Sequence, residues 1–323
     1  MNMKLLDEIR PDSKEMRAYY SEEIVRLIDA GKPVMALDAD LMRAVGLLPY
    51  RKDRADRIID CGIAEANMMG VAAGLSAEGF VPFAHSFAAF ASRRAFDQVY
   101  MSGGYAGLNV KVVGSDPGVG SALNGGTHQA NEDIALMRVI PNMTVVEPSD
   151  PAMLVNVIPQ IADTYGMFYL RLFRLRAKKI YAPGSAFTIG RAVTLREGAD
   201  AAIIACGLEV AEAVRAAEIL AERNIRVRVL DMFTIKPIDR EAVLAAARDT
   251  GAIVTAENHN VIGGLGDAVA EVVCGECPVP MGRIGIQDVF GEVGPTPALM
   301  RRFGLTAEDI AETVERTMAK KKE

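Results

Sequence analysis

The most informative stretch of this chain reads Asp60-Cys61-Gly62-Ile63-Ala64-Glu65-Ala66-Asn67. It places a single carboxylate, Glu65, at the start of a predicted helix of small residues that runs to about Glu78. Further along, the run 87–98 begins with Phe87-Ala88-Ala89-Phe90. A lone acid followed by two aromatic side chains could hold a flat, basic heteroaromatic ring, with the acid at its edge and the aromatic rings against its face.

Composition and charge narrow the class of protein. The chain has 323 residues, enough for two ordinary domains. Its 36 basic and 42 acidic side chains give a formal charge of −6, whereas nucleic acids and anionic membranes both call for a basic face. Residues 1–15 lack the apolar core of a signal peptide, and no apolar run approaches the ~20 residues of a membrane span. We therefore expect a soluble, cytoplasmic protein that binds neither nucleic acid nor membrane.

The pattern of short β-rich runs alternating with helical runs predicts a parallel α/β architecture. Residues 34–37 read as a buried strand whose end delivers Asp38 and Asp40. Ligands of open α/β sheets bind outside the carboxyl ends of the strands, so both acids are well placed, although turn-forming aspartates would look the same. A basic cluster and the break at 182–185 indicate a linker. We expect two domains, over residues 12–175 and 188–318.

A glycine-rich loop over 114–126 follows the strand predicted at 110–113. Long loops in compact domains are usually functional, which makes His128, just beyond this loop, a candidate functional residue. Cys274 and Cys277 have redox or metal spacing, but the chain has no second Cys pair beside them, so we expect a structural or incidental role. His259 lies in the second domain, where we expect it to serve structure or a subunit interface.

Taken together, these features resemble the C-terminal half of a transketolase, over nearly the whole chain. The segments that carry the resemblance are moderately specific alone, and their order and spacing make it strong. They are Asp60 to Gly74, Phe87 to Gln98, Gly125-Gly126-Thr127-His128-Gln129 with Glu132-Asp133 and Leu136-Met137-Arg138, and Glu257 to Gly266. The resemblance implies a pyrimidine-binding domain with a parallel sheet, followed by a smaller α/β C-terminal domain. It also implies thiamine diphosphate, Mg²⁺, and transfer of a two-carbon ketol unit from a ketose phosphate to an aldose.

The resemblance also assigns site residues. Glu65 becomes the catalytic carboxylate that hydrogen-bonds N1′ of the cofactor's aminopyrimidine, which calls for a desolvated site where a proton can be shared. Phe90 stacks on that ring and Phe87 lines its pocket. His128 becomes the histidine that contacts the ketose donor near its carbonyl, where it could polarise oxygen or move a proton. We count Asp40 among the cofactor-binding candidates.

Several positions depart from the family pattern at the substrate end. Arg17 and Arg174 match the arginines that bind the phosphate, but Ala44 replaces a serine and the early loop lacks a histidine. Asn124 stands where the family has aspartate, and an amide in place of a carboxylate changes which hydroxyls can be bound. The cofactor chemistry is therefore expected to be retained, while the substrate is expected to be an unusual ketose, branched or modified at its far end.

His85 occupies a position where the family usually has a small residue. It is either a satisfied core histidine or a substrate contact special to this protein, and the sequence leaves both interpretations open. We therefore include it among the substrate-binding candidates.

A thiamine diphosphate enzyme also needs a domain that binds the diphosphate. In the family, a Gly-Asp-Gly motif and a later Asn supply the Mg²⁺ ligands, and no Gly-Asp-Gly occurs in this chain. The resemblance therefore implies a split enzyme. Its obligate partner would be an N-terminal subunit that carries the diphosphate and metal site, in an α2β2 assembly, and this chain would contribute no metal ligand.

Two alternatives remain. The chain could be the β subunit of a 2-oxo acid dehydrogenase or part of a deoxyxylulose-phosphate synthase-like enzyme, although Thr127-His128-Gln129 followed by Asn131-Glu132-Asp133 favours transketolase. It could instead be a non-catalytic regulatory half that binds a true transketolase. The presence of both Glu65 and Phe90 argues against that interpretation.

Overall fold

A computed structural model describes residues 4–322 and has the predicted α/β architecture. The strands are β1 Leu5–Pro11, β2 Val34–Asp38, β3 Ile58–Asp60, β4 Val81–Phe87, β5 Lys111–Ser115, β6 Thr144–Val146, β7 Phe168–Leu172, β8 Lys178–Tyr181, β9 Val193–Arg196, β10 Ala201–Ala205, β11 Val227–Asp231, β12 Thr234–Lys236, β13 Ile253–Asn260 and β14 Met281–Ile286. The α-helices are α1 Met16–Asp29, α2 Met42–Val45, α3 Leu48–Arg51, α4 Glu65–Ala77, α5 Phe96–Gln98, α6 Asp133–Arg138, α7 Pro151–Asp163, α8 Glu209–Glu222, α9 Arg240–Thr250, α10 Leu265–Glu276, α11 Thr296–Phe303 and α12 Ala307–Ala319.

The first sheet has seven strands in the order β12-β6-β7-β5-β4-β2-β3. The six strands from β2 to β7 pair in parallel, and only β12 joins antiparallel. Every residue of β2, β4, β5 and β7 is buried, which is the pattern of a parallel sheet covered on both faces. The carboxyl ends of these strands therefore meet at one edge, where the sequence analysis expects ligands.

The second sheet has five strands in the order β14-β13-β10-β11-β9, with only β9 antiparallel. Strand β12 comes from the same part of the chain, yet it extends the first sheet by pairing with β6. A separate ribbon joins β1 to β8. Strand β12 therefore links the two parts of the chain, in addition to the packing between them. The domain limits 12–175 and 188–318 stay a prediction.

Strand β13 makes several of the contacts between the two units, meaning the parts of the chain built around the first and the second sheet. Asn258 accepts a hydrogen bond from Val119 N (2.9 Å) and donates one to Pro117 O (3.0 Å). The buried His259 accepts a hydrogen bond from Ala135 N at Nε2 (3.4 Å), while Nδ1 lies 2.7 Å from its acceptor, the carbonyl oxygen of Asn260. Strand β13 of the second unit therefore holds the glycine-rich loop of the first in place.

Cys274 is an exposed free thiol and Cys277 a half-buried one, both at the end of α10. Within residues 4–322, every helix is too short or too polar to cross a bilayer.

We expect His259 to make folding sensitive to mild acid. Burial lowers the pKa of His259 to about 4, from 6.5. The unfolded chain therefore binds more protons than the folded one between those two pH values, and the free energy of unfolding falls as the pH drops through this window. Between pH 7.5 and pH 5, this histidine should lower the free energy of unfolding by about 2 kcal/mol. Urea unfolding at both pH values should show that His259→Gln loses less of its free energy of unfolding at pH 5 than the wild type does. Equal losses would contradict the assignment of this pH sensitivity to His259.

Candidate active site

The site is built around the buried carboxylate of Glu65. Helix α4 begins at this residue, as predicted, and the side chain is only 1% exposed. Ser86, on β4, donates a hydrogen bond from Oγ to Glu65 Oε1 (2.9 Å). Arg94 donates one from Nη1 to Oε2 (2.8 Å). Both carboxylate oxygens are thus engaged, and this is what makes the burial of the acid tolerable.

The aromatic pair lies beside this carboxylate, with a backbone that the sequence did not predict. Phe87 is the last residue of β4, so Phe87 and Phe90 do not share a helix face. Residues Phe90–Arg94 form a π-helical turn instead, a feature often found at functional sites. The two rings are nevertheless neighbours, with centroids 6.2 Å apart.

The imidazole of His128 completes an aromatic cluster. Its ring packs edge-on against Phe90 (5.2 Å between centroids) and Phe87 (6.0 Å). Thr127 Oγ1 lies 2.9 Å from His128 Nδ1, and Ser121 donates a hydrogen bond to the carbonyl oxygen of His128 (2.7 Å). His128 thus lies beside the aromatic pair. Because it is only partly buried, a bound molecule could contact it.

The glycine-rich loop is shaped by close packing against the second unit. It contains a 3-10 segment, Gly118–Asn124. Gly118 has φ +51°, and a Cβ there would lie 2.2 Å from Asn258 Oδ1, so only glycine fits. Asn124 ends the 3-10 segment and is exposed. Its amide is thus accessible from solvent.

The two arginines predicted to bind the phosphate of the substrate lie side by side. Arg17 N donates a hydrogen bond to Arg174 O (3.0 Å). Arg17 Nε lies 2.6 Å from a Glu15 oxygen, and Arg174 Nη2 lies 2.7 Å from Asp116 Oδ2. The Arg174 guanidinium is also 5.5 Å from the centroid of the Phe87 ring, which links this pair to the aromatic cluster.

Asp116 lies beside Arg174 in the candidate site, although the sequence did not single it out. Its side chain is 1% exposed, its backbone has a strained φ of +53°, and burial raises its pKa to about 6 despite the opposing effect of Arg174. The signal in the sequence was an aspartate between the end of a strand and a proline. Arg94 was missed as well, although two consecutive arginines follow the aromatic pair.

His85 lies behind the site. Its ring is fully buried, with Nδ1 2.7 Å from Asp38 Oδ2 and Nε2 2.9 Å from Ser115 Oγ. Both ring nitrogens are therefore engaged inside the protein. As placed, His85 supports the strand ends rather than presenting a nitrogen to a substrate. Asp40, by contrast, is exposed, and its backbone N–H donates a hydrogen bond to Asp60 Oδ1 (3.0 Å).

The donor set suits a flat heteroaromatic ring. A buried carboxylate, Glu65, can bind the ring edge, and Phe90 offers a partly exposed aromatic face beside it. These residues therefore fit the aminopyrimidine of thiamine diphosphate. The phosphate end of such a molecule would need other groups.

Comparisons with known proteins agree with this geometry. The family model of the transketolase pyrimidine binding domain matches residues 12–178, and that of the transketolase C-terminal domain matches residues 190–310. The chain is 50% identical to the 6-deoxy-6-sulfo-D-fructose transketolase subunit of Clostridium sp. MSTE9, covering 97% of this chain and 98% of that one. It is 35% identical to an apulose-4-phosphate transketolase subunit of Phocaeicola vulgatus, over 92% and 95%. A solved split-gene transketolase, an inactive beta4 tetramer, superposes with TM-score 0.88 at 43% identity, over 94% and 98%.

Proposed function

The chain belongs to the transketolase family, and we propose that it forms the pyrimidine-binding half of a two-chain enzyme. As a transketolase-type transferase subunit, it serves the transfer of a two-carbon ketol unit from a ketose to an aldose. The observation that carries our assignment of the site is the meeting of Glu65, Phe90 and His128 at the carboxyl ends of the first sheet. We retain the prediction of a cytoplasmic location.

Thiamine diphosphate dependence follows from membership of the family. When bound, this cofactor supplies a carbon nucleophile and an electron sink for carbon–carbon bond cleavage. In our proposal Glu65 shares a proton with the ring edge, and Phe90 and Phe87 orient the ring. His128 lies 5.2 Å, centroid to centroid, from Phe90 and would hold or move a proton at the carbonyl oxygen of the donor.

We further propose that a second chain binds the diphosphate and Mg²⁺ in an α2β2 assembly. The relatives described as a subunit and as a split-gene enzyme support this proposal. So does the exposure of large apolar side chains on segments around the site: Ile63 (73%), Leu123 (72%), Phe290 (96%) and Val293 (70%). Apolar surface of this kind is typical of a protein interface.

The substrate is proposed to be a ketose with an unusual far end. Named relatives act on a sulfonated fructose and on apulose 4-phosphate. Because Arg17 and Arg174 are each paired with an acid, the charge available to an incoming anion is reduced. This favours a singly charged sulfonate over a phosphate that carries nearly two charges.

Reconstitution tests the proposed function. The chain is combined with a partner subunit that contains a Gly-Asp-Gly motif, and thiamine diphosphate and Mg²⁺ are added. We expect this mixture to transfer ketol units. The kcat/KM for 6-deoxy-6-sulfo-D-fructose should exceed that for xylulose 5-phosphate about tenfold or more, because Asp116 repels the second negative charge of the phosphate. Asp116→Asn should narrow this ratio, whereas Asp163→Asn, an exposed control, should not. Lack of transfer from any ketose would overturn the function, and a preference for xylulose 5-phosphate would overturn the substrate.

A further inference from the structure

Arg94 makes two contacts at once in this chain. It is the last residue of the π-helical turn, and its Nη1 donates to Glu65 Oε2 at 2.8 Å. Its guanidinium carbon lies 4.1 Å from the centroid of the Phe90 ring, a cation–π distance. The side chain is 44% exposed, so it reaches into the site from the solvent side.

These are the two contacts that the proposed function assigns to the aminopyrimidine. Like that ring, a guanidinium is planar, carries N–H donors at its edge and stacks on aromatic faces. The Glu65 carboxylate and the Phe90 face are small targets, so a stacked guanidinium and a stacked pyrimidine compete for the same space.

We propose that Arg94 holds the place of the aminopyrimidine in the cofactor-free subunit and leaves Glu65 when the cofactor binds. This inference rests on the proposed function, since it takes Glu65 and Phe90 as the ring site. The arrangement has a physical reason: a buried carboxylate without a partner is costly, and Arg94 provides one until the cofactor arrives. Its partial exposure gives the side chain a short path back to solvent.

The neighbouring Arg93 provides a matched control. It is equally exposed, at 44%, but turns away from the carboxylate. Its Nε lies 2.9 Å from Glu132 Oε1, and its Nη2 donates to Thr127 O (3.3 Å). Replacing Arg93 therefore removes an arginine of the same turn without opening the proposed ring site.

The test is isothermal titration of the isolated full chain with 4-amino-5-hydroxymethyl-2-methylpyrimidine, the free aminopyrimidine fragment. We expect Arg94→Ala to bind this probe about tenfold more tightly than the wild type, because no side chain has to be displaced first. Arg93→Ala should bind like the wild type. Arg94→Gln, which is neutral and keeps a donor, provides a second variant if the alanine variant does not fold.

The outcomes separate this inference from the function on which it rests. Folded Arg94 variants that bind the probe no more tightly than the wild type, while Glu65→Gln still abolishes binding, would overturn the role of Arg94 and leave the ring site intact. If neither the wild type nor any variant bound the probe, both the role of Arg94 and the proposed ring site would be overturned.

Discussion

Replacing Glu65 by glutamine should lower kcat of the assembled enzyme by about 10²–10⁴-fold, the range typical of a lost proton-transfer group. An amide has almost the shape of a carboxylate and can still accept the hydrogen bond from Ser86. It cannot share a proton with a ring nitrogen in the way an acid does. The expected result is therefore a loss in turnover with little change in the fold, measured by steady-state kinetics and by thermal unfolding of the same preparation.

The control for this prediction lies just past the end of the same helix. Glu78 follows the last turn of α4 and is exposed, so Glu78→Gln should leave kcat unchanged. Retention of full turnover by Glu65→Gln would remove Glu65 from its proposed role. A large fall in unfolding temperature would instead show that the loss of activity reflects the fold.

The largest effect on stability is expected at Arg171, whose side chain is completely buried. Its guanidinium lies 2.8 Å from Asp133 and 2.7 Å from Glu147, and it donates to the carbonyl oxygen of Asn258 (2.8 Å) in the second unit. Although burial raises the pKa of Asp133, Arg171 brings it below its ordinary value. Arg171→Ala would leave two buried acids without their cation, at a cost of about 3–5 kcal/mol.

Urea unfolding measures this loss directly. Arg176, five positions on, is exposed, and Arg176→Ala should change the free energy of unfolding by less than about 0.5 kcal/mol. If Arg171→Ala unfolded at the urea concentration of the wild type, the buried network would not stabilise the contact between the two units.

Several elements of both units could be predicted because local patterns agree with the final structure. The run 34–37 is a buried strand, and the small residues after Glu65 form helix α4. Thr306 begins the last helix with a capping box, which depends on residues only three apart. Such features are decided by neighbours in the chain, so they can be inferred without the fold.

Other features depend on partners far away in the chain. Phe87 ends a strand because β4 pairs with β2 and β5, and the turn after it is π-helical rather than α-helical. Strand β12 leaves its own unit to pair with β6. The strained conformation of Asp116 is held beside Arg174, almost sixty positions later. No local pattern encodes these pairings.

By itself, the sequence determined the family, the α/β class and the identity of the residues proposed to hold a ring: Glu65, Phe87, Phe90 and His128. These follow from residue type and order, which are properties of the chain. Only the tertiary structure decided what each residue faces. It buried His85 between Asp38 and Ser115, paired each of the two arginines predicted to bind the substrate with an acid, and brought Arg94 onto Glu65 and Phe90. The reason is that burial and charge pairing depend on distances in space, which are set when distant segments pack together.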